Sequence, residues 1–379
     1  MKDRVFNIDA DLGQSHGAYL CDRRTGAEFL DFHGMFSSIP LGYNHPIFGS
    51  RFWDQLRAIA HIKTANAVVH TQEYWDFQEA FAPHCFSEAL HFTCTGSTAV
   101  EAAIKCALEH HQDPKGQVIS LRHSFHGMNG WGFATDPCFH SRERLGYNPP
   151  SPWIKETIEE LRHRLKRGNT EHVVAVLVEP VLCTAGDEYL APEILREVRQ
   201  LCRHHKICFI VDEIQTGFGT TGDFWYSEKI DLHPDILIFG KKAQVSGIIA
   251  RGPYQHCLKS PEKKLVVTYN GDLIDMLRAT YILKAYQEDG LVEKAKQNSN
   301  FFRETLDSRV ENFRSQGHLV AFDFGSSHQR DRFVALGLQH GFLCNQSGER
   351  TIRLRPPLAL CSAERQHFAS IMDKVFRRL

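Results

Sequence analysis

The sequence lacks long apolar runs, a strong net charge and any C-x-x-C pair. No stretch of its 379 residues approaches the roughly 20 apolar residues of a membrane-spanning helix. Residues 1–14 are charged and lack the apolar centre of a signal peptide, so we expect a cytoplasmic protein without a membrane partner. The net charge of −1, with 22 histidines counted as neutral, provides no basic field and excludes nucleic acid as a partner.

Cysteine and histidine are present, but in patterns that favour structural roles. The 11 cysteines are scattered, and we expect reduced, mostly buried thiols. The doublets His110-His111 and His204-His205 each close a helical pattern among charged residues, so solvated helix ends explain them better than metal ligands. The sequence therefore predicts no metal site. With 42% hydrophobic and 23% charged residues, the chain can form a large domain and a smaller one.

Short runs of β-branched and aromatic residues predict strands that are buried on both faces. These runs are residues 89–94, 117–120, 172–178, 207–211 and 236–239. Helical periodicity marks three segments between them, with apolar faces at Val100, Ile104, Ala107 and Leu108, at Ile154, Ile158, Leu161 and Leu165, and at Ile194, Leu195, Val198, Leu201 and Cys202. Alternating strands and helices predict an α/β fold with a mostly parallel sheet, whose ligands collect beyond the carboxyl ends of the strands.

The two ends of the chain follow a different pattern. Residues 18–32 are typical of a hairpin. After the core, a long helix is predicted over residues 275–287, with strands near Leu319 and Ile352 and a closing apolar helix over residues 368–376. We therefore expect both ends to contribute to the smaller domain.

The predicted domain boundaries follow from these patterns. Residues 1–45 form the N-terminal part of the small domain, and residues 46–270 form the large domain that carries the chemistry. Residues 271–379 form a linking helix and the C-terminal part of the small domain.

Two predicted strands run directly into reactive side chains. The strand over residues 207–211 ends at Asp212, and the strand over residues 236–239 ends at Gly240-Lys241-Lys242. If both strands lie in one sheet, the aspartate and a lysine emerge at the same edge. A lysine at the lip of a core loses hydration and needs a surface, a partner or a chemical role. On these two segments alone, an ion pair at a domain edge is an equally good explanation.

Two further segments favour a cofactor over an ion pair. TCTGST, residues 93–98, follows a strand and opens a helix, so hydroxyls and free amides of the first turn form a cradle for a phosphate. Phe125 lies on the loop after the next strand, where its ring can stack on a flat ligand. Taken singly, these are an ordinary helix cap and an ordinary core residue. Together with Asp212 and Lys241 they fit pyridoxal 5′-phosphate, because lysine forms a Schiff base with its aldehyde and a carboxylate keeps its ring nitrogen protonated.

The stretch VDEIQTGFGTTGDFWYSEKIDLHPDILIFGKKAQVSG resembles the class III (ω-amino-acid) aminotransferases of pyridoxal phosphate (PLP) fold type I. Its FGKK-x-QV-x-G end, with TYNGDLIDMLRA and IRLRPPL further along, is most similar to L-lysine 6-aminotransferases. The resemblance covers nearly the whole chain. It implies a large domain with a mostly parallel seven-stranded sheet and a smaller α+β domain. The activity it implies is transfer of an amino group between an amino acid or ω-amine and an oxo acid or aldehyde.

The resemblance also implies catalytic roles. Lys241 matches the Schiff-base lysine, because its offset from Asp212 (241 − 212 = 29) is that of the family. Asp212 matches the carboxylate that faces the pyridine nitrogen. Lys242 is then a structural neighbour, and on extended backbone its side chain would point to the opposite face.

Further cofactor contacts are implied in the same way. Gln215 matches the residue at the ring hydroxyl, Phe125 the residue on the ring face, and Gly96 and Ser97 the phosphate ligands. Thr268 matches a threonine that completes the phosphate site of the partner subunit. The resemblance therefore implies a homodimer with shared active sites.

The substrate positions depart from L-lysine 6-aminotransferases. Met128 stands where those enzymes have an arginine after the aromatic-His-Gly motif. Thr184, in EPVLCTAG, stands where they have a glutamate that covers the carboxylate-binding arginine, and threonine cannot neutralise that charge. Arg353, in TIRLRPP, matches the arginine, whereas we interpret Arg355 as a surface charge. An uncovered arginine favours reaction at an α-carbon over reaction at an ω-amine.

Three functions remain open at this point. The first is a PLP-dependent aminotransferase. The second is a class III-like PLP enzyme that racemises, decarboxylates or forms carbon–carbon bonds at an α-carbon, and the third is a catalytically silent binding or scaffold protein.

Residues 217–222 also fit the dinucleotide-binding pattern G-x-G-x-x-G. However, DEIQT separates them from the preceding strand, and the next strand ends on Gly240-Lys241 rather than on an acidic residue. We therefore do not expect a dinucleotide loop there.

Overall fold

The computed structural model describes residues 6–135, 153–259 and 265–379. The chain divides into two compact units. The large unit comprises Asp54–Phe218 and Asp223–Leu283, and the small unit comprises Met1–Trp53, Gly219–Gly222 and Lys284–Leu379. The sequence predicted boundaries after residues 45 and 270, whereas the packing changes after Trp53 and Leu283, inside two helices.

The strands, numbered along the chain, are β1 (Ala10–His16), β2 (Tyr19–Asp22), β3 (Glu28–Asp31), β4 (Leu90–Thr93), β5 (Gln117–Leu121), β6 (Trp153–Glu156), β7 (Val173–Val178), β8 (Val181–Leu182), β9 (Glu188–Tyr189), β10 (Cys208–Asp212), β11 (Ile236–Phe239), β12 (Ser246–Ala250), β13 (Glu311–Gln316), β14 (Leu319–Asp323), β15 (Phe342–Leu343), β16 (Asn345–Ser347) and β17 (Thr351–Leu354).

The helices are α1 (Gly34–Ser37), α2 (Ser50–Ile59), α3 (Gln72–Phe81), α4 (Gly96–His111), α5 (Gly130–Thr135), α6 (Ile158–Lys166), α7 (Pro192–His204), α8 (Tyr226–Lys229), α9 (Gln255–Lys259), α10 (Leu273–Asp289), α11 (Leu291–Leu306), α12 (Ser327–Gln339) and α13 (Ser362–Phe376). Short 3₁₀ turns occur at Ala82–His84, Lys241–Ala243, Gly252–Tyr254 and Asp307–Arg309.

The large unit is built on one seven-stranded sheet in the order β4-β12-β11-β10-β7-β5-β6. β10 pairs in parallel with β7 and β11, and β5 pairs in parallel with β6 and β7. β12 is antiparallel to β11 and to β4. Six strands of this sheet therefore point one way, with their carboxyl ends at one edge. The predicted mostly parallel sheet is confirmed, and this edge is where the ligand site was expected.

The sequence forms this sheet because its strands are apolar on successive residues. Every residue of β7, β10, β11 and β12 is buried, as expected for a sheet covered on both faces. α4 packs on the sheet through small and β-branched side chains, including Val100, Ala103, Ile104 and Ala107. The five strands predicted from the sequence all occur.

One helical prediction is wrong at its start. Ile154 was expected on a helix face, but it lies in β6, and α6 begins only at Ile158. Thr157 caps α6: its hydroxyl accepts the Glu160 N–H, and the Glu160 carboxylate accepts the Thr157 N–H. This T-x-x-E capping box interrupts the apolar period that connects Ile154 to the helix.

The small unit contains two four-stranded sheets, β1-β2-β3-β15 and β13-β14-β17-β16. The predicted hairpin is confirmed, because β2 and β3 pair in antiparallel fashion. Their turn is closed by the Gly26 N–H, which donates to the Asp22 carbonyl at 2.8 Å. The closing helix α13 packs Phe368 into an aromatic core, with its ring centroid 4.9 Å from that of Phe32.

Residues 217–222, the G-x-G-x-x-G match, are all buried. A Cβ on Gly217 would lie 2.6 Å from Trp225 Cζ3, and a Cβ on Gly222 would lie 2.9 Å from Lys296 Cβ. Close packing therefore explains these glycines, and the segment exposes no face to a dinucleotide.

The expectations for the histidine doublets and the cysteines have structural counterparts. α4 ends at His111 and α7 at His204, so both histidine doublets lie at helix ends. The cysteines in the described part of the chain are free thiols, most of them buried. Within residues 6–135, 153–259 and 265–379 no cluster of three or more metal-ligand side chains occurs. No helix in these ranges combines the length and apolarity that crossing a membrane requires.

Candidate active site

The residues that follow β4, β5, β7, β10 and β11 line a cavity of about 190 Å³ in the large unit. The lining residues are Gly96, Ser97, Phe125, His126, Gly127, Glu179, Thr184, Asp212, Ile214, Gln215 and Lys241. The structure thus brings together all the predicted cofactor residues except Thr268, from segments that are far apart in the sequence. The roles assigned to these residues remain predictions.

Asp212, the last residue of β10, is 4% exposed and faces this cavity. Its Oδ1 accepts the Ile214 N–H at 3.0 Å. Its Oδ2 lies 2.8 Å from His126 Nδ1, with both side chains buried. With a proton on Nδ1, His126 donates to the carboxylate, and two donors fix the orientation of Asp212.

The two adjacent lysines separate at the end of β11. Lys241 lines the cavity, whereas Lys242 is only 3% exposed and lies outside the lining. The backbone expected to be extended is instead a 3₁₀ turn, in which Lys241 has a φ of 49°. A Cβ on Gly240 would lie 2.8 Å from Ser246 Oγ, so a larger residue there would displace the Ser246 hydroxyl. A left-handed lysine is an energetically costly conformation, and such conformations concentrate at functional sites.

The amino end of the 16-residue helix α4 forms a cradle on one side of the cavity. Thr95 caps this helix and accepts the Thr98 N–H at 3.2 Å, which leaves the Gly96 and Ser97 amides without an intrahelical acceptor. A Cβ on Gly127, which has a φ of 95°, would lie 2.3 Å from Ser97 Oγ. The close approach of these two segments depends on that glycine, and the helix end suits an anion.

The remaining lining residues fit a planar ring. Phe125 contributes its aromatic side chain. Gln215 has a buried Oε1 that lacks a hydrogen-bond partner within the described chain, so it is an acceptor that a ligand can satisfy. With an anion cradle, a fixed carboxylate and a primary amine in the same cavity, this set of residues fits pyridoxal phosphate.

Glu179 follows β7 and is 5% exposed at the wall of the cavity. Its Oε1 accepts the Phe125 N–H at 2.8 Å. Burial raises the pKa of its carboxyl to about 7, and the neighbouring Asp212 acts in the same direction. His126, the Phe125 N–H and Lys241 oppose this rise in pKa.

The adjacent acid Glu213 lies outside the lining of the cavity. It accepts the Tyr226 and Ser227 N–H groups, each at 2.7 Å, at the start of α8. Burial raises its pKa to about 6, against the effect of these hydrogen bonds. Its contacts explain its burial without a role in the reaction.

The predicted substrate residues are dispersed. Thr184 lines the cavity, whereas Met128 is 69% exposed and contributes only its N–H, which donates to Ser97 Oγ at 3.2 Å. Arg353 lies on β17 in the small unit. The interpretation of Arg355 as a surface charge is wrong: it is 2% exposed, and its Nη1 donates to the Leu354 carbonyl.

Thr268 is exposed and does not line the cavity. The segment that carries it is held beside the phosphate cradle of its own chain, because Cys94 Sγ donates to the Tyr269 carbonyl at 3.2 Å.

Sequence reasoning did not assign roles to four residues of the cavity, namely Gly127, whose close approach to Ser97 is described above, and His126, Glu179 and Ile214. His126 holds Asp212, Glu179 holds Phe125, and Ile214 packs beneath Gly96, where a Cβ would lie 2.8 Å from Ile214 Cδ1. All three lie at or just beyond the carboxyl end of a strand. Their position after a strand could have indicated that they lie at the site. The contact between His126 and Asp212, which are 86 residues apart, could not be predicted from local sequence patterns.

Comparison with known proteins identifies the family. The model of the family described as aminotransferase class-III matches residues 1–376. An L-lysine-epsilon aminotransferase from Mycobacterium bovis is 32% identical over 407 residues, a match that covers 95% of this chain and 89% of that protein. A 4-aminobutyrate aminotransferase from Schizosaccharomyces pombe is 27% identical, covering 98% of this chain and 89% of that protein.

A solved structure agrees with these sequence relatives. Lysine aminotransferase from M. tuberculosis in the internal aldimine form superposes with a TM-score of 0.91 at 28% identity, covering 98% of this chain and 95% of that chain. The shared fold is PLP fold type I, as the resemblance implied. The chain belongs to the class III aminotransferases and is a PLP-dependent transaminase that moves an amino group from a donor to an oxo acceptor.

Proposed function

We propose that this aminotransferase acts preferentially at the α-carbon of an amino acid and passes the amino group to an oxo acid. The observation that supports this preference is Thr184, a neutral side chain in the lining of the cavity at the position where L-lysine 6-aminotransferases have a glutamate. Threonine carries no charge that could neutralise an arginine, and in this proposal Arg353 binds the substrate carboxylate in both half-reactions. Binding the carboxylate next to the reacting carbon selects α-amino acids.

The proposed chemistry divides between the cofactor and the protein. When bound, pyridoxal phosphate supplies an aldehyde that condenses with amines and a ring that accepts the electron pair released at the substrate carbon. Gly96, Ser97, Phe125 and Gln215 hold the cofactor. Lys241 Nζ would form the covalent link and, when free, would take the proton from the substrate carbon and deliver it to the cofactor carbon.

Asp212 supplies the opposing charge in this proposal. Its Oδ1 and Oδ2 are fixed by the Ile214 N–H and by His126 Nδ1, so its orientation does not change during the reaction. A fixed carboxylate in a buried site stabilises positive charge on a ring nitrogen without reorganisation.

A second candidate is transfer of the ε-amino group of lysine. The relatives named L-lysine-epsilon aminotransferase favour it, at 32% identity over nearly the whole chain. Lysine is therefore the most informative donor, because it offers both an α-amine and an ε-amine to the same active site.

Labelled lysine tests the proposed preference. L-lysine carrying ¹⁵N at either the α or the ε position is incubated with the enzyme and a panel of oxo acids that includes pyruvate and 2-oxoglutarate. We expect the label in the new amino acid, read by mass spectrometry, to come mainly from the α position. Thr184→Glu restores the missing acid and is expected to increase the share from the ε position, whereas the neutral Thr184→Gln serves as its matched control.

Two outcomes contradict the proposal. Label that comes mainly from the ε position in the native enzyme identifies the second candidate. Loss of the lysine α-hydrogen or of its carboxylate, without transfer of nitrogen to any acceptor, points to a racemase or decarboxylase activity of the same site.

We further propose that the enzyme is a homodimer in which Thr268 completes the phosphate site of the partner subunit. Val266, Val267 and Tyr269, which flank this threonine, are 45%, 55% and 43% exposed in the single chain. Apolar side chains that are exposed together favour a surface that a second copy of the chain covers.

A cytoplasmic location remains a prediction from the sequence.

Mixed dimers test whether Thr268 acts across subunits. Subunits carrying Lys241→Ala and subunits carrying Thr268→Ala are unfolded and refolded together, and each variant refolded alone is the control. If Thr268 serves the partner, one site of each mixed dimer has both native residues, so we expect activity above either control. Activity that stays at the level of the two controls means that Thr268 acts within its own chain.

A further inference from the structure

The loop Ser124–Gly127, which we call the ring loop, is held against the sheet at three points. Ser124 Oγ donates to the Leu121 carbonyl at 2.6 Å. The Phe125 N–H donates to Glu179 Oε1, and His126 Nδ1 lies 2.8 Å from Asp212 Oδ2. The loop that follows β5 is thus connected to the ends of β7 and β10, and the tie to β7 depends on Glu179.

This anchoring requires an acceptor oxygen but not a negative charge. A protonated carboxyl still offers its carbonyl oxygen to the Phe125 N–H and carries the proton on its other oxygen. Glu179 is buried and borders the same cavity as Asp212, so an ionised Glu179 would place a second anion in the same cavity wall. The geometry accommodates the neutral acid at lower cost.

We propose that Glu179 is a positioning residue that anchors the ring loop as a neutral, protonated acid and leaves Asp212 as the single anion of the cavity wall. The inference rests on the proposed role of the cavity as the cofactor site. Glu179 is then a pH-dependent element, because its ionisation adds negative charge to a cavity that accepts a phosphorylated ligand.

The direction of the pH effect follows from the groups that face Glu179. Burial and Asp212 raise the pKa of its carboxyl, while His126, the Phe125 N–H and Lys241 lower it, and the result is about 7. In the folded protein, Glu179 is therefore mainly protonated below pH 7 and mainly ionised above pH 7, where it adds a negative charge to the cavity wall. As pH rises through about 7, we expect cofactor affinity to fall relative to a variant that cannot ionise there.

The test compares native protein with Glu179→Gln, whose amide oxygen still accepts the Phe125 N–H but cannot ionise. The dissociation constant of pyridoxal phosphate is measured by fluorescence quenching from pH 6 to pH 8.5 on cofactor-free protein. We expect equal affinities at pH 6 and about tenfold tighter binding by the variant at pH 8.5, the order expected for one added like charge at close range. The ionisation of free pyridoxal phosphate is common to both measurements and cancels in the ratio.

Glu101→Gln is the matched control. Glu101 also holds backbone N–H groups through a single oxygen, because its Oε1 accepts the Trp131 N–H at 2.8 Å and the Gly132 N–H at 3.3 Å in the first turn of α5. Burial also raises its pKa. It does not line the cavity. This variant is expected to follow the native affinity curve at every pH.

Three results would overturn the inference. A ratio of affinities that does not change with pH shows that Glu179 does not ionise in this range, and weaker binding by Glu179→Gln at pH 6 shows that its charge is required. If that variant does not fold, the native curve decides: affinity that does not fall as pH rises through about 7 contradicts the inference, and a fall centred near pH 7 supports it. Failure of the covalent link to Lys241 would refute the proposed function instead, since it is scored separately by borohydride reduction.

Discussion

Replacing Lys241 with alanine is expected to abolish covalent attachment of pyridoxal phosphate and to lower the turnover of the enzyme by about 10⁴-fold, the upper range for loss of a general base. Lys241 contributes the primary amine of the cavity lining, so its removal eliminates both the covalent link and the proton carrier. The visible absorption of the lysine-linked cofactor disappears with the link. Borohydride reduction followed by peptide mapping provides the direct measurement.

Lys242 supplies the matched control within the same dipeptide. It is 3% exposed and outside the cavity lining, so Lys242→Ala is expected to retain the covalent link and the absorption band. Deleting a buried side chain lowers stability, and Lys242→Met keeps its volume so that folding does not confound the comparison. A reduced cofactor tag found on Lys242, or an absorption band that survives in Lys241→Ala, would contradict the assignment.

The sequence predicts the large sheet and most of the cofactor site for one physical reason. Buried parallel strands are short apolar runs, which are recognisable locally, and the residues just after them must meet at one edge. Asp212 and Lys241 emerge together because β10 and β11 are parallel neighbours. Ser97 and Phe125 join them from β4 and β5, whose carboxyl ends lie at the same edge.

The predictions that failed depended on local geometry or on distant contacts. Lys241 was expected on extended backbone, but the glycine before it lets the chain turn at once, and no apolar pattern records a φ of 49°. Ile154 has the spacing of a helix face, yet it pairs with Ile119 in the parallel ladder between β5 and β6. Arg355 was interpreted as a surface charge because single-sequence patterns do not reveal which arginines find carbonyl partners in a core.

The contacts of His126 and Glu179 are distant contacts, which the sequence also did not predict. Each joins the ring loop to a strand end more than 50 residues away in the sequence. The dipeptide Glu179-Pro180 and the motif Phe125-His126-Gly127 were both visible, but which donor meets which acceptor depends on strand order. That order becomes known only when the sheet is assembled.

Replacing Asp212 with asparagine is expected to reduce turnover by about 10³-fold while the protein still folds, in the range measured for loss of one preorganised electrostatic group. The asparagine Oδ1 can still accept the Ile214 N–H, but the negative charge opposite the ring nitrogen is lost. The new Nδ2 also faces His126 Nδ1, which must then accept rather than donate. The imidazole proton moves to Nε2, which is buried without a hydrogen-bond partner in the described part of the chain.

The His126 proton on Nε2 is expected to lower the free energy of unfolding, in addition to any effect of the lost negative charge. An unsatisfied buried N–H costs about 1–3 kcal/mol, so Asp212→Asn should also unfold at a lower denaturant concentration. Asp235→Asn is the matched control: Asp235 is a half-buried carboxylate that accepts the Phe209 N–H at 2.9 Å and pairs with Arg199, and it does not line the cavity. The control is expected to lose stability but to keep the turnover of its folded fraction. Turnover of Asp212→Asn within tenfold of the native enzyme would show that the carboxylate does not support the ring charge during transfer.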